Sequence, residues 1–106
     1  MSLDITISTK CCGAQLHWQN ITHNLRTMAE QAGIGNALWS PGEGMTASEL
    51  GKILEPAMVV MYEYPDRFKA FDAANGWGTY DDFMPWLEKL LTACNEHPNA
   101  VVTASV

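Results

Sequence analysis

Positive charge is scarce in this chain. Lys and Arg number six against twelve Asp and Glu, for a formal net charge of −6. Proteins that grip nucleic acid do so largely through clustered Lys and Arg on the phosphates. The few basic residues here are scattered, so nucleic acid is not an expected partner. The acids are dispersed as well, and they read as a solubility coat rather than as a nucleic-acid mimic. Cysteine is also sparse: there are three, and Cys11 and Cys12 are neighbours. An odd count with an adjacent pair is not the framework of a secreted, disulfide-stapled domain. No apolar run approaches the length of a membrane span. No basic stretch followed by an apolar one marks a signal peptide. These absences together point to the cytoplasm, away from membranes. Internal repeats, low-complexity segments and linkers are lacking too, and 106 residues read as a single domain.

What remains is ordinary globular material, 47% apolar and 17% charged, enough to bury one core without a disulfide or a structural metal. Leu3, Ile5 and Ile7 alternate with polar residues, as a half-buried strand does. After a turn around Gly13, Ala14, Leu16 and Trp18 alternate with Gln15, His17 and Gln19. This predicts a second strand, paired to the first as a hairpin, with Leu16 and Trp18 inward. The period then lengthens. Ile21, Leu25, Met28, Ala29 and Ala32 share a helix face, with Thr22 as N-cap and Gly33 as the left-handed stop. Ile34 to Met45 reads as a connecting loop in which Ala37, Leu38 and Trp39 can make one helical turn that tucks an aromatic into the core.

Thr46 and Glu49 form a capping box. Leu50, Ile53, Leu54, Ala57, Met58 and Met61 follow as an apolar stripe, with a kink expected at Pro56. Pro65 to Phe71 predicts a short helix. Phe83, Leu87, Leu90, Leu91 and Cys94 form the stripe of a last long helix. Pro85 would sit in its second turn if the helix began at Thr79. An irregular turn at 79–82 and a regular helix from about Phe83 are therefore expected. Ala100 to Val106 is apolar and β-branched, a third strand. The expected fold is α+β: a small antiparallel three-stranded sheet, two strands N-terminal and one C-terminal, with about three helices on one face.

Few residues suggest chemistry. Cys11, Cys12, His17, His23, Cys94 and His97 could in principle bind metal, but none shows the paired spacing of a zinc site. Cys94 lies on an apolar stripe, where a free thiol is usually a small hydrophobe. Neither a metal nor a cofactor is implied. Cys12, near Lys10, is the least poor candidate nucleophile, and an incidental loop thiol explains it better.

Two segments stand out. His23 and Asn24 fall where strand gives way to helix, a place with unpaired amides; alternatively, Thr22 and Asn24 only cap the helix. Asn75-Gly76-Trp77-Gly78, followed by Tyr80, puts a large ring in a turn with unusual backbone freedom. That ring is either an anchor for a partner or a lid over the core.

The series ITHNL (21–25), MAEQAGIGNALW (28–39), NGWGTY (75–80) and LTAC (91–94) resembles a group of small uncharacterised proteins found in phage and bacterial genomes. The resemblance spans about residues 18–104. It implies an accessory or host-interaction role and draws attention to ITHNL and NGWGTY, without implying an activity.

Three functions fit these features. The first is a binding module that meets a protein partner through His23, Asn24, Asn75, Trp77 and Tyr80. The second is a small enzyme with His23 as general base, helped by Asn24 and an acid such as Asp81. The third is a homodimer whose surface aromatics form the self-interface.

Overall fold

A computed structural model describes residues 2–106. Strand β1 (Ser2–Ser8) pairs antiparallel with β2 (Gln15–Thr22) on one side and with β3 (Val101–Ser105) on the other, giving the order β2-β1-β3. The turn between β1 and β2 needs a positive φ at Gly13. Between β2 and β3 the chain forms a 3-10 turn (His23–Leu25) and five helices: α1 (Arg26–Gln31), α2 (Gly35–Trp39), α3 (Ala47–Glu63), α4 (Pro65–Lys69) and α5 (Tyr80–Glu96). The architecture is the expected α+β one, a three-stranded antiparallel sheet with its three main helices packed.

The core lies between one sheet face and the helices. Leu3, Ile5 and Ile7 of β1 are fully buried there, against Leu50, Leu54 and Met61 of α3 and Phe83, Leu87 and Leu90 of α5 in one continuous cluster. The capping box of α3 is complete: Thr46 Oγ1 accepts from the Glu49 amide at 3.2 Å, and Glu49 Oε1 accepts from the Thr46 amide at 3.3 Å. α3 continues through Pro56, which is exposed, so the carbonyl four residues back that loses its amide partner can turn to water.

Three local expectations change. β2 presents its other face: Gln19 and Ile21 are buried and His17 is half-buried, while Leu16 and Trp18 are 40% and 51% exposed. The register explains this, because Ile21 stands opposite Leu3 and Gln19 opposite Ile5, and residues directly opposite share a face. The buried Gln19 is satisfied. Its amide nitrogen donates to the Trp86 carbonyl at 3.0 Å, and its amide oxygen meets the His17 ring.

Second, β2 runs on to Thr22, so the helix expected from Thr22 begins as the 3-10 turn and becomes α-helical only at Arg26. The 34–45 connection holds the short helix α2, and its last residue, Trp39, is buried as expected. Third, α5 starts at Tyr80. Thr79 is its cap and accepts from the Asp82 amide at 3.3 Å, so Pro85 sits inside a regular helix. Pro85 is exposed, which again lets water satisfy the orphaned carbonyl.

Candidate functional site

The two segments singled out in the sequence meet at one end of the sheet. On the first, the Thr22 hydroxyl accepts from the Asn24 amide at 3.3 Å and starts the 3-10 turn, and Leu25 pins the turn to the core. His23 is then fixed from beneath. The Trp39 indole N–H donates to His23 Nδ1 at 2.8 Å, with the rings 6.0 Å apart. An indole only donates, so Nδ1 must be bare and the neutral ring carries its proton on Nε2. That Nε2 is buried without a hydrogen-bond partner among the described residues.

The second segment is a closed turn. Ala73 N–H donates to the Gly78 carbonyl and Gly76 N–H to the Ala73 carbonyl, both at 3.0 Å. The Asn75 side-chain oxygen accepts from the Trp77 amide at 2.9 Å, an Asx turn. Gly76 and Gly78 have φ of 77° and 112°. Gly78 is also a contact point: a β-carbon there would lie 3.0 Å from Asn24 Cβ and 3.2 Å from Thr22 Cγ2.

A hydrogen bond joins the segments, from Asn24 Nδ2 to the Trp77 carbonyl at 2.7 Å. Trp77 therefore has its amide and its carbonyl both held, while the residue remains 73% exposed. Beside it opens a cavity of about 520 Å³ lined by Ser2, Asn20, Thr22, His23, Asn24 and Trp77. Among the described residues the lining offers hydroxyls, amides and two aromatic rings and no charged side chain.

The candidate residues thus have different places. His23, Asn24 and Trp77 line one cavity, and Asn75 shapes the turn from behind. Tyr80 is not on this surface. It is 7% exposed, and its hydroxyl donates to the Met61 carbonyl at 2.9 Å within the core. Burial raises its pKa above the phenol value. Asp81 is exposed in the first turn of α5 and does not line the cavity. Sequence reasoning missed Ser2, Asn20 and Trp39. Asn20 shares an outward face with Trp18, and its amide nitrogen donates to Ser2 Oγ and Asp4 Oδ1 at 2.9 and 2.8 Å. The correct strand face would have exposed it. A buried Trp needs a partner for its N–H, and that requirement was the available clue to the His23–Trp39 pair.

The cysteines fall elsewhere. Cys11 and Cys12 are exposed in the β1–β2 turn and Cys94 is buried. Hydrogen bonding from Thr9, then from the Ala14 backbone, lowers the Cys12 pKa, and burial pushes Cys94 up to about 11. Among the described residues no three His, Cys, Asp or Glu side chains converge as a metal site would require, and no helix is long and apolar enough to cross a membrane. Comparison with protein-family models, curated proteins and solved structures gives no match.

Proposed function

We propose that the protein is a binding module that takes a protein partner on the surface around Trp77, with the ring as its anchor. One observation carries this reading: a large apolar ring is held in water by a backbone fixed at both its amide and its carbonyl. Aromatic residues presented rigidly lose little entropy on association and dominate the energy of many interfaces. The adjoining uncharged, hydrogen-bonding cavity suits a polar backbone segment of the partner. An accessory role in a phage or mobile element, implied by the resemblance of ITHNL and NGWGTY, is compatible with such a module.

The enzyme alternative is less well supported. A general base needs a lone pair turned to its substrate, yet the His23 Nδ1 lone pair is engaged by Trp39 and Nε2 carries the proton. His23 is better suited to hold the turn than to abstract a proton.

The test uses a photoreactive side chain at exposed Ala74, beside the anchor, in cells that express the protein. A discrete adduct with another protein is expected. Trp77→Ala should remove that adduct while shifting stability by no more than about 0.5 kcal/mol, as exposed positions do. No adduct, or an adduct indifferent to Trp77→Ala, would overturn the reading. His23→Ala is a poor probe here, because it leaves the Trp39 indole without its acceptor.

A further inference from the structure

α3 buries Leu50, Leu54 and Met61 on one side and turns another to solvent. Lys52, Pro56, Val59, Val60 and Glu63 recur at steps of four, three, one and three, so they share one helix face. All five are exposed, and their face lies opposite the buried one. Val59 and Val60 are 53% and 40% exposed, and Tyr62 and Tyr64, also exposed, border them. Among the described residues, half of the large exposed apolar side chains thus gather at the C-terminal end of α3. Such a concentration marks a contact surface rather than ordinary solvent-facing helix.

The face is also built from poor helix formers. Proline removes a hydrogen bond from a helix interior, and valine loses side-chain freedom there. Alanine or leucine would make a better exposed helix. Pro56, Val59 and Val60 have a different merit: their side chains are nearly fixed before anything packs on them, so burying them costs little further entropy. Residues that break a local preference with no gain inside the fold are those to expect at a functional position.

We propose that this face of α3 packs antiparallel on the same face of a second copy of this chain, about a two-fold axis at the level of Ala57 and Met58. The ends of the face select a second copy. Lys52 stands at one end and Glu63 at the other, about three helical turns away. Antiparallel packing sets Lys52 of each copy against Glu63 of the other, and Pro56 against Val59. Two ion pairs then flank one apolar centre, and the arrangement closes on itself by isologous symmetry.

The other charges nearby do not oppose this pairing. Each copy carries a net charge of −6, yet the face holds one charge of each sign. Among the described residues neither Lys52 nor Glu63 forms an ion pair within its own chain. Glu55, on the border, falls beside Val60 of the second copy. The capping box turns the Glu49 carboxylate back onto the Thr46 amide and hydroxyl, at 3.3 and 3.1 Å. Glu88, beyond the opposite border, accepts from the Tyr62 hydroxyl. Two acidic molecules can therefore meet here without setting like charges against each other.

The experiment is sedimentation equilibrium of the full chain at low salt, where exposed charges are least screened, together with isotope-filtered NMR on a mixture of labelled and unlabelled protein. A dimer is expected, with contacts between the Val59 methyl groups of one copy and the Pro56 ring of the other. Val59→Gln should weaken dimerisation about tenfold without lowering the melting temperature of the dilute protein. Lys52→Glu and Glu63→Lys should each weaken it about tenfold, the second even though it makes the chain less negative. An equimolar mixture of these two variants should associate as tightly as the parent, because each mixed pair again joins opposite charges.

A monomer at NMR concentration would overturn the proposal. So would a dimer that lacks the Val59–Pro56 contact, or a mixture of the two charge variants that binds no tighter than either alone. A dimer abolished by Trp77→Ala and indifferent to Val59→Gln would assign self-association to the anchor surface and reject the helix pairing. A different protein seated on this face of α3 in place of a second copy would also reject it.

Discussion

Cys94 shows how one buried group reports on the fold. Its thiol sits in the core cluster, and burial raises its pKa from an ordinary 9.0 to about 11. The folded state therefore favours the neutral thiol more than the unfolded state does. That contribution is complete below the unfolded pKa and is lost as pH rises between 9 and 11. Its size is on the order of 2–3 kcal/mol, at 1.36 kcal/mol per pKa unit. Denaturant unfolding of the parent across this range should show the decline, and Cys94→Ala should flatten it. Tyr62 contributes a later decline. Burial first, then its hydrogen bond to Glu88, raises its pKa from an ordinary 10.0 to about 12, so its share is lost between 10 and 12, overlapping the upper half of the Cys94 range.

The element scale is where two separated sequence segments become one surface, and Gly78 is the joint. Its φ of 112° is strained for any other residue, and a β-carbon would press on Asn24 and Thr22. Gly78→Ala should destabilise by more than about 1 kcal/mol, beyond the usual gain from removing a glycine. It should also lengthen the Asn24–Trp77 bond, read as faster exchange of the Asn24 side-chain amide protons. An unchanged midpoint would mean that the turn is not locked to the 3-10 segment.

Much of this was legible in residue types. Thr46 with Glu49, the stripe of α3, the stop at Gly33 and the terminal strand all follow local rules that tertiary packing reinforces. β2 was misread because both of its faces carry large rings or aliphatic groups, and polarity alone favours Leu16 and Trp18 over His17 and Gln19. Parity was set instead by Ile21 opposite Leu3 and by two hydrogen bonds, Gln19 to Trp86 and Trp86 to Asn20, that cross most of the sequence. The same limit hid the pairing of Trp39 with His23 and the inward turn of Tyr80, whose acceptor is a carbonyl of α3.

At the scale of the whole molecule, β1 lies in the centre of the sheet with unlike neighbours. β2 reaches it through a tight turn, whereas β3 returns from the far end of the sequence to pair Ser8 with Val101 and Asp4 with Ser105. Closing the longer loop costs more entropy before any contact repays it, so β3 should dock after the rate-limiting step of folding. Val102, 1% exposed on β3, tests this. Val102→Ala should speed unfolding and leave the folding rate nearly constant in a chevron analysis, a φ-value near zero. A matching loss of folding rate would place β3 in the nucleus. The same topology matters while the protein is being made. As the chain leaves the ribosome, β1 emerges early and gains β2 at once, yet its other edge stays open until residues 101–105 have followed. For that interval the nascent chain offers a bare central strand, and it is then that a chaperone or a neighbouring nascent chain would find it.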